Sequence, residues 1–179
     1  QSLARAHDQI TKENWSPASL KVLIETESEG YLQDSEERVV LSGDDVLLVP
    51  TAYSSIALVV HELITNSAKY GALSVQAGRV DIVLERKDDK ALVLTWEESG
   101  GPPVQAPTRK GFGTTIIERT IPYELQGQAN VELAVSGLRA EFYIPAVHVR
   151  EAPRVKAPRK RNTSAQKNRP KSLAFPRKV

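Results

Sequence analysis

The order of apolar and polar positions divides most of the chain into recognisable elements. Residues 1–11, QSLARAHDQIT, place Leu3, Ala6 and Ile10 on one side of a predicted helix. A second helix is predicted in WSPASLKVLIETES. Ser16 is its expected N-cap, and Pro17 takes the first helical position, where a missing N–H costs nothing. ERVVLSG and DVLLVP read as short strands around a Gly-Asp-Asp turn. The next segment, PTAYSSIALVVHELITNSAKY, has a helical period: Ile56, Val59, Val60, Leu63 and Ile64 share one side of the wheel. GRVDIVLERK and ALVLTWEE alternate with the two-residue period of half-buried antiparallel strands, joined by the turn KDDK. GGPPVQAPTRKGFG is a loop by its glycines and prolines, and TTIIERTIPYEL a short helix. ANVELAV and LRAEFYIP form a hairpin around Ser136-Gly137. This order predicts an α+β fold, a mixed and mostly antiparallel sheet covered on one face by helices.

Composition narrows the chemistry. The 179 residues suit one domain with an appendage. No cysteine is present, which excludes disulfides, zinc–thiolate sites and a cysteine nucleophile and fits a reducing, cytoplasmic setting. No apolar run approaches the roughly 20 residues of a membrane span. The chain begins at Gln1 and has no methionine, so it reads as a piece of a longer protein. The net charge of +2 conceals a division. Eleven of the 24 Lys/Arg lie in residues 147–179 with a single acid, Glu151, leaving residues 1–146 acidic. The basic run could hold phosphates through counterion release. It has no interleaved aromatics for base stacking beyond Phe175, so a solvated, disordered extension is favoured over nucleic-acid binding.

Three segments carry candidate chemistry. In HELITNSAKYGAL, Glu62, Asn66, Lys69 and Tyr70 line one edge of the helix, away from its core face. A carboxamide oxygen is a neutral ligand for Mg²⁺, a carboxylate orients or deprotonates a hydroxyl, and an ammonium neutralises phosphate. TWEESGGPPV ends a strand with Glu98 just before Gly100-Gly101; the acid can accept from an exocyclic amine, and the glycines allow close approach. KGFGTT sets Gly111 and Gly113 at the start of a helix, where unpaired backbone N–H groups can hold an anion. Neither the Rossmann nor the P-loop glycine pattern is present.

In this order and spacing the segments resemble the ATP-binding catalytic domain of the GHKL superfamily (gyrase, Hsp90, histidine kinase, MutL). Within it they resemble the HWE subgroup of bacterial sensor histidine kinases, named for a histidine in the asparagine box and a Trp-x-Glu. Here these are His61 and Trp96-Glu97-Glu98. The resemblance covers about residues 1–146 and implies a two-layer α/β sandwich, the Bergerat fold. It implies Asn66 as the ligand of the Mg²⁺ bridging the ATP phosphates, and Glu62 near the γ-phosphate to orient the nucleophile. Lys69 and Tyr70 would contact phosphate or ribose, Glu98 would read the adenine amino group, and Gly100 would make room for the base. Gly111, Gly113, Thr114 and Thr115 would form the phosphate end of the lid, with His61 beside the metal–phosphate site. Leu138 follows Gly137 where many relatives carry a small hydroxyl residue.

The implied division is residues 1–14 as the end of a dimerisation and phosphoacceptor helical region, 15–146 as the catalytic domain and 147–179 as the tail. The acceptor histidine is expected upstream of Gln1 together with a sensor domain; His7 lacks the surrounding helical pattern of an acceptor. The implied partner is a response regulator that receives the phosphoryl group on an aspartate. The alternatives are an anti-sigma-type serine kinase, against which the His61 box and Trp-x-Glu argue, or another GHKL ATPase, for whose transducer domains the chain is too short.

Overall fold

The computed structural model describes residues 16–31, 38–103 and 111–152. The helix and His7 expected in residues 1–11, the lid stretch 104–110 and the basic run beyond Ala152 lie outside these.

In chain order the elements are β1 (Ala18–Ser19), α1 (Leu20–Glu29), β2 (Val39–Gly43), β3 (Val46–Leu48), α2 (Pro50–Tyr70), a 3-10 turn (Ala72–Ser74), β4 (Arg79–Arg86), β5 (Leu92–Ser99), α3 (Phe112–Leu125), β6 (Gln128–Ala134), β7 (Gly137–Ile144), a 3-10 turn (Ala146–His148) and β8 (Val149–Glu151). The main sheet has the order β2-β4-β5-β7-β6. Only the β2–β4 pair is parallel; β4–β5, β5–β7 and β6–β7 are antiparallel. One face carries Val80, Ile82 and Leu84 of β4, Leu92, Leu94 and Trp96 of β5 and Ala140, Phe142 and Ile144 of β7, all buried against the helices. The period-two alternation forces this, because a strand that buries one row of side chains exposes the next. The opposite row, with Val83, Glu97, Arg139 and Glu141, is exposed. The helical layer is centred on α2, whose Ile56, Val59, Val60, Leu63 and Ile64 are the core stripe expected from the wheel, each 1 % exposed or less.

Several local expectations change. The second helix starts at Leu20, not behind Ser16. Ala18 and Ser19 pair antiparallel with Leu48 and Leu47, so they are extended, and Ser19 is the cap, its Oγ accepting from the Val22 N–H at 3.2 Å. Pro17 therefore lies outside the helix. The two strands around Gly-Asp-Asp are present, and they part: β2 joins the main sheet and β3 lies between β1 and β8 in a separate sheet. Gly43, at φ +91, makes the turn that separates them. The ordered chain also continues past residue 146. Val149–Glu151 pairs with Val46–Leu48, and His148 Nε2 lies 3.0 Å from the Leu125 carbonyl oxygen at the end of α3. His148 is thus part of the folded unit rather than the tail. Among the described residues no helix is long and apolar enough to cross a membrane.

Candidate functional site

α2 places the polar stripe. Its core face is pinned to the sheet, so Glu62 and Asn66, one turn apart, sit half-buried at the edge of the helix, while Lys69 and Tyr70 are exposed at its C-terminal end. α3 packs beside this edge. A Cβ added at Gly113 would overlap Glu62 Oε2 and lie 3.6 Å from Asn66 Nδ2. The first turn of α3 therefore faces the carboxylate and carboxamide directly, and glycine is what permits the approach. Gly111 is the N-cap of this helix and supplies no side-chain cap. Its carbonyl accepts from the Thr115 N–H at 3.3 Å and from Thr115 Oγ1 at 3.4 Å. The first-turn amides of Phe112, Gly113 and Thr114 have no partner within the helix, as at any helix start. Gly113 thus meets Glu62 and Asn66, far apart from it in sequence, with Thr114 and Thr115 following it in the same turn of α3.

Glu98 lies beside the C-terminus of α2, against Gly71 and Ala72. It belongs to the inward row of β5, two residues after Trp96, and is 6 % exposed. Its carboxylate is held at both oxygens: Trp96 Nε1 donates to Oε1 at 3.2 Å and the Ala72 N–H donates to Oε2 at 2.8 Å. This gives Trp-x-Glu a physical meaning, since residues two apart on a strand share a face and the indole can anchor the carboxylate. Gly71 caps α2, with its N–H donating to the Asn66 and Ser67 carbonyls at 3.2 and 3.0 Å. A Cβ on Gly71 would overlap Glu98 Oε2. The backbone of Asn66 is thereby one turn from the residue that touches Glu98. Gly100, at φ +68, turns the chain out of β5 in the left-handed region that glycine favours.

His61 is tied to α1. Its Nδ1 lies 3.0 Å from Glu27 Oε2, and Glu27 is 2 % exposed, with Oε1 buried and unpartnered. Sequence reasoning passed over Glu27 because its position inside a helix gives no hint of a partner 34 residues away. Among the described residues no three His, Cys, Asp or Glu side chains gather as a metal site. The shifted titrations lie elsewhere, at the β4–β5 turn. Tyr143 Oη donates to Asp89 Oδ2 at 2.7 Å and the Ala91 N–H to Oδ1 at 2.9 Å, which lowers the Asp89 carboxyl and raises the Tyr143 phenol.

Comparison with known proteins bears on this arrangement. The family model for HWE histidine kinases matches residues 1–45. A blue-light-activated histidine kinase of Brucella ovis is 34 % identical over 147 residues, covering 80 % of this chain and 30 % of that protein. The Brucella anthropi protein of the same name is 32 % identical over the same length. The chain belongs to the HWE histidine kinases. It spans about a third of the length of these curated relatives. Among solved structures, the histidine kinase domain of the Erythrobacter litoralis EL346 blue-light activated histidine kinase matches at TM-score 0.57 and 20 % identity, over 71 % of this chain and 64 % of that one. The mycobacterial sensor histidine kinase MprB matches at TM-score 0.55 and 16 % identity, over 73 % of this chain and 97 % of that one. The HWE-type domain therefore has the histidine-kinase catalytic fold, the two-layer sandwich that the sequence motifs imply.

Proposed function

We propose that this HWE-type domain binds Mg·ATP between the α2 stripe, the start of α3 and the Glu98 end of the sheet, and that in its parent protein it supports phosphoryl transfer to a histidine upstream of Gln1. A response-regulator aspartate is the next acceptor, and the cytoplasm is the compartment that supplies ATP. The observation that carries this reading is the meeting of Gly113 with Glu62 and Asn66. It joins an uncapped helix start, which attracts anions, to a carboxylate and a neutral oxygen ligand. The residues fit the group: Mg²⁺ in such sites takes one or two protein oxygens and completes its shell with phosphates and water.

The bound magnesium supplies charge neutralisation for the transferring phosphoryl group. Asn66 offers its carboxamide oxygen to the metal. Glu62, held beside Gly113, orients the attacking imidazole and accepts its proton. Lys69, exposed at the end of α2, is free to swing towards phosphate, and Tyr70 flanks it. Gly113 and Thr114 direct backbone N–H groups at the phosphate end, with Thr115 adding a hydroxyl. Glu98 accepts from the exocyclic amine of adenine, and Gly100 leaves room for the base. His61, the neighbour of Glu62 on α2 and tied to Glu27, lies beside the metal–phosphate site.

Calorimetric titration of the chain with Mg·ATP tests the reading. Binding is expected to depend on Mg²⁺, and Asn66→Ala is expected to abolish that dependence while Glu62→Ala retains binding. Equal, metal-dependent affinity in Asn66→Ala would refute the metal assignment. Acid-labile phosphohistidine formed by this chain alone would contradict the upstream acceptor.

A further inference from the structure

Arg38 gathers three backbone carbonyls of a single loop. Its Nε donates to Gly78 O at 3.0 Å, and its Nη2 donates to Val75 O at 2.6 Å and Ala72 O at 3.2 Å. The parallel register explains the reach. Val39 pairs with Val80, so the residue before β2 is delivered to the segment that enters β4. The planar guanidinium fork can satisfy three acceptors of fixed geometry; a lysine ammonium on a flexible stem cannot hold such a pattern. The clamped segment, Ala72–Gly78, connects the end of α2 to β4, and its first residue donates the N–H that holds Glu98 Oε2 at 2.8 Å. The contacts form a continuous path: guanidinium to the Ala72 carbonyl, Ala72 amide to the Glu98 carboxylate.

The segment is also where backbones crowd. A Cβ on Gly78 would overlap the Ala72 carbonyl, and a Cβ on Gly101 would come 2.9 Å from Ala72 Cα. Ala72 itself is 1 % exposed. Its position thus depends on Gly78 and Gly101, which crowd it, and on Arg38. The hydroxyl of Ser67 adds a further tie by accepting from the Leu73 N–H at 3.2 Å.

We propose that Arg38 is a positioning residue for base recognition: by clamping the Ala72–Gly78 carbonyls it fixes the amide that aims the Glu98 carboxylate. This rests on the reading of the domain as an ATP site. A carboxylate with one lone pair on each oxygen already engaged accepts an exocyclic amine only if its remaining lone pairs point at it. The clamp therefore acts on selectivity for a purine bearing an amine, as in adenine, over one bearing a carbonyl at the same position, as in guanine.

The experiment measures dissociation constants for Mg·ATP and Mg·GTP on the full chain by calorimetry, in the native sequence, in Arg38→Met and Arg38→Lys, and in each on a Glu98→Ala background. Thermal melting of every variant confirms folding. Arg38→Met is expected to weaken Mg·ATP about tenfold, the equivalent of about 1.4 kcal/mol, with Mg·GTP changed by less than about twofold. Arg38→Lys is expected to fall between, which keeps the test readable if the methionine variant does not fold. On the Glu98→Ala background the Arg38 substitution is expected to have no further effect. An equal loss for both nucleotides, or the same loss with and without Glu98, would mean that Arg38 serves only stability and would overturn the inference. So would unchanged selectivity in a native-like Arg38→Met. If the native chain binds no Mg·ATP, the site reading itself falls, and this inference falls with it.

Discussion

Gly113→Ala separates the needs of the fold from those of the site. The substitution places a methyl group where Glu62 Oε2 now lies, and 3.6 Å from Asn66 Nδ2. Gly113 occupies the first turn of α3 with no left-handed backbone, so alanine fits the local conformation. Replacing glycine by alanine in a helix gains about 0.5–1 kcal/mol. Against this stands the displacement of one carboxylate at the end of a flexible side chain, about 0.5–1.5 kcal/mol if it leaves its rotamer well. The two nearly cancel, so the melting temperature is expected to move by no more than about 2–4 °C, the equivalent of about 1 kcal/mol. Phosphoryl transfer does not share that tolerance. A displacement of about 1 Å in a positioning group can cost about a hundredfold in rate. The assays are thermal melting of this chain and autophosphorylation of the parent protein with γ-labelled ATP. A double-mutant cycle isolates the contact. With Glu62→Ala already present the overlap is gone, so adding Gly113→Ala is expected to stabilise by about 0.5–1 kcal/mol. If Gly113→Ala is equally neutral or equally damaging in both backgrounds, the carboxylate does not face the first turn of α3, and the geometric basis of the site is wrong.

Three further substitutions probe the surroundings. Glu98→Gln replaces an acceptor of two N–H groups by an amide with one oxygen, so the Ala72 or the Trp96 donor faces an NH₂; a loss of about 1–3 kcal/mol is expected in urea unfolding, and an unchanged midpoint would show that the carboxylate is not held as described. His61→Ala leaves the buried Glu27 without its imidazole and is expected to cost about 1–3 kcal/mol, most of it recovered when Glu27→Leu is added; no recovery would locate the loss in His61 packing alone. Asp89 has its folded pKa depressed by Tyr143, so the pair's contribution is present above the ordinary carboxylate range and lost as pH falls through the lowered value. Tyr143→Phe is expected to return the Asp89 titration, followed by NMR, towards that ordinary range, and a curve that does not move would remove the hydroxyl as its cause.

What could be read from the chain was local. The core stripe of α2 follows from apolar residues at helical spacing, and the β4–β5 and β6–β7 hairpins follow from alternation across short turns. The glycine pair at the start of α3 and the Trp96–Glu98 spacing were also legible, because each concerns residues a few positions apart. What was not legible shares one cause. Ser16 was the expected cap because it precedes a proline, yet Ala18 and Ser19 are taken by pairing with Leu48 and Leu47. β2 and β3 lie where the chain pattern sets short strands around a turn, but their partners are not local: β2 pairs in parallel with β4, about forty residues on, and β3 with β8, about a hundred residues on. Non-local pairings are decided by which surfaces remain to be covered once the chain collapses, and no sequence window contains that information.

The sequence alone determined the kind of chemistry: which side chains are presented on one edge of α2, which acid ends β5 on its buried face, and which glycines open α3, since helix and strand periods fix these directions. Tertiary structure alone decided what those groups meet. It brought Gly113 to Glu62 and Asn66, turned His61 to Glu27 and ran the Arg38 clamp to Ala72 and from there to Glu98. Each of these contacts joins elements distant in sequence, and each forms only because the same apolar core draws the helices and the sheet together.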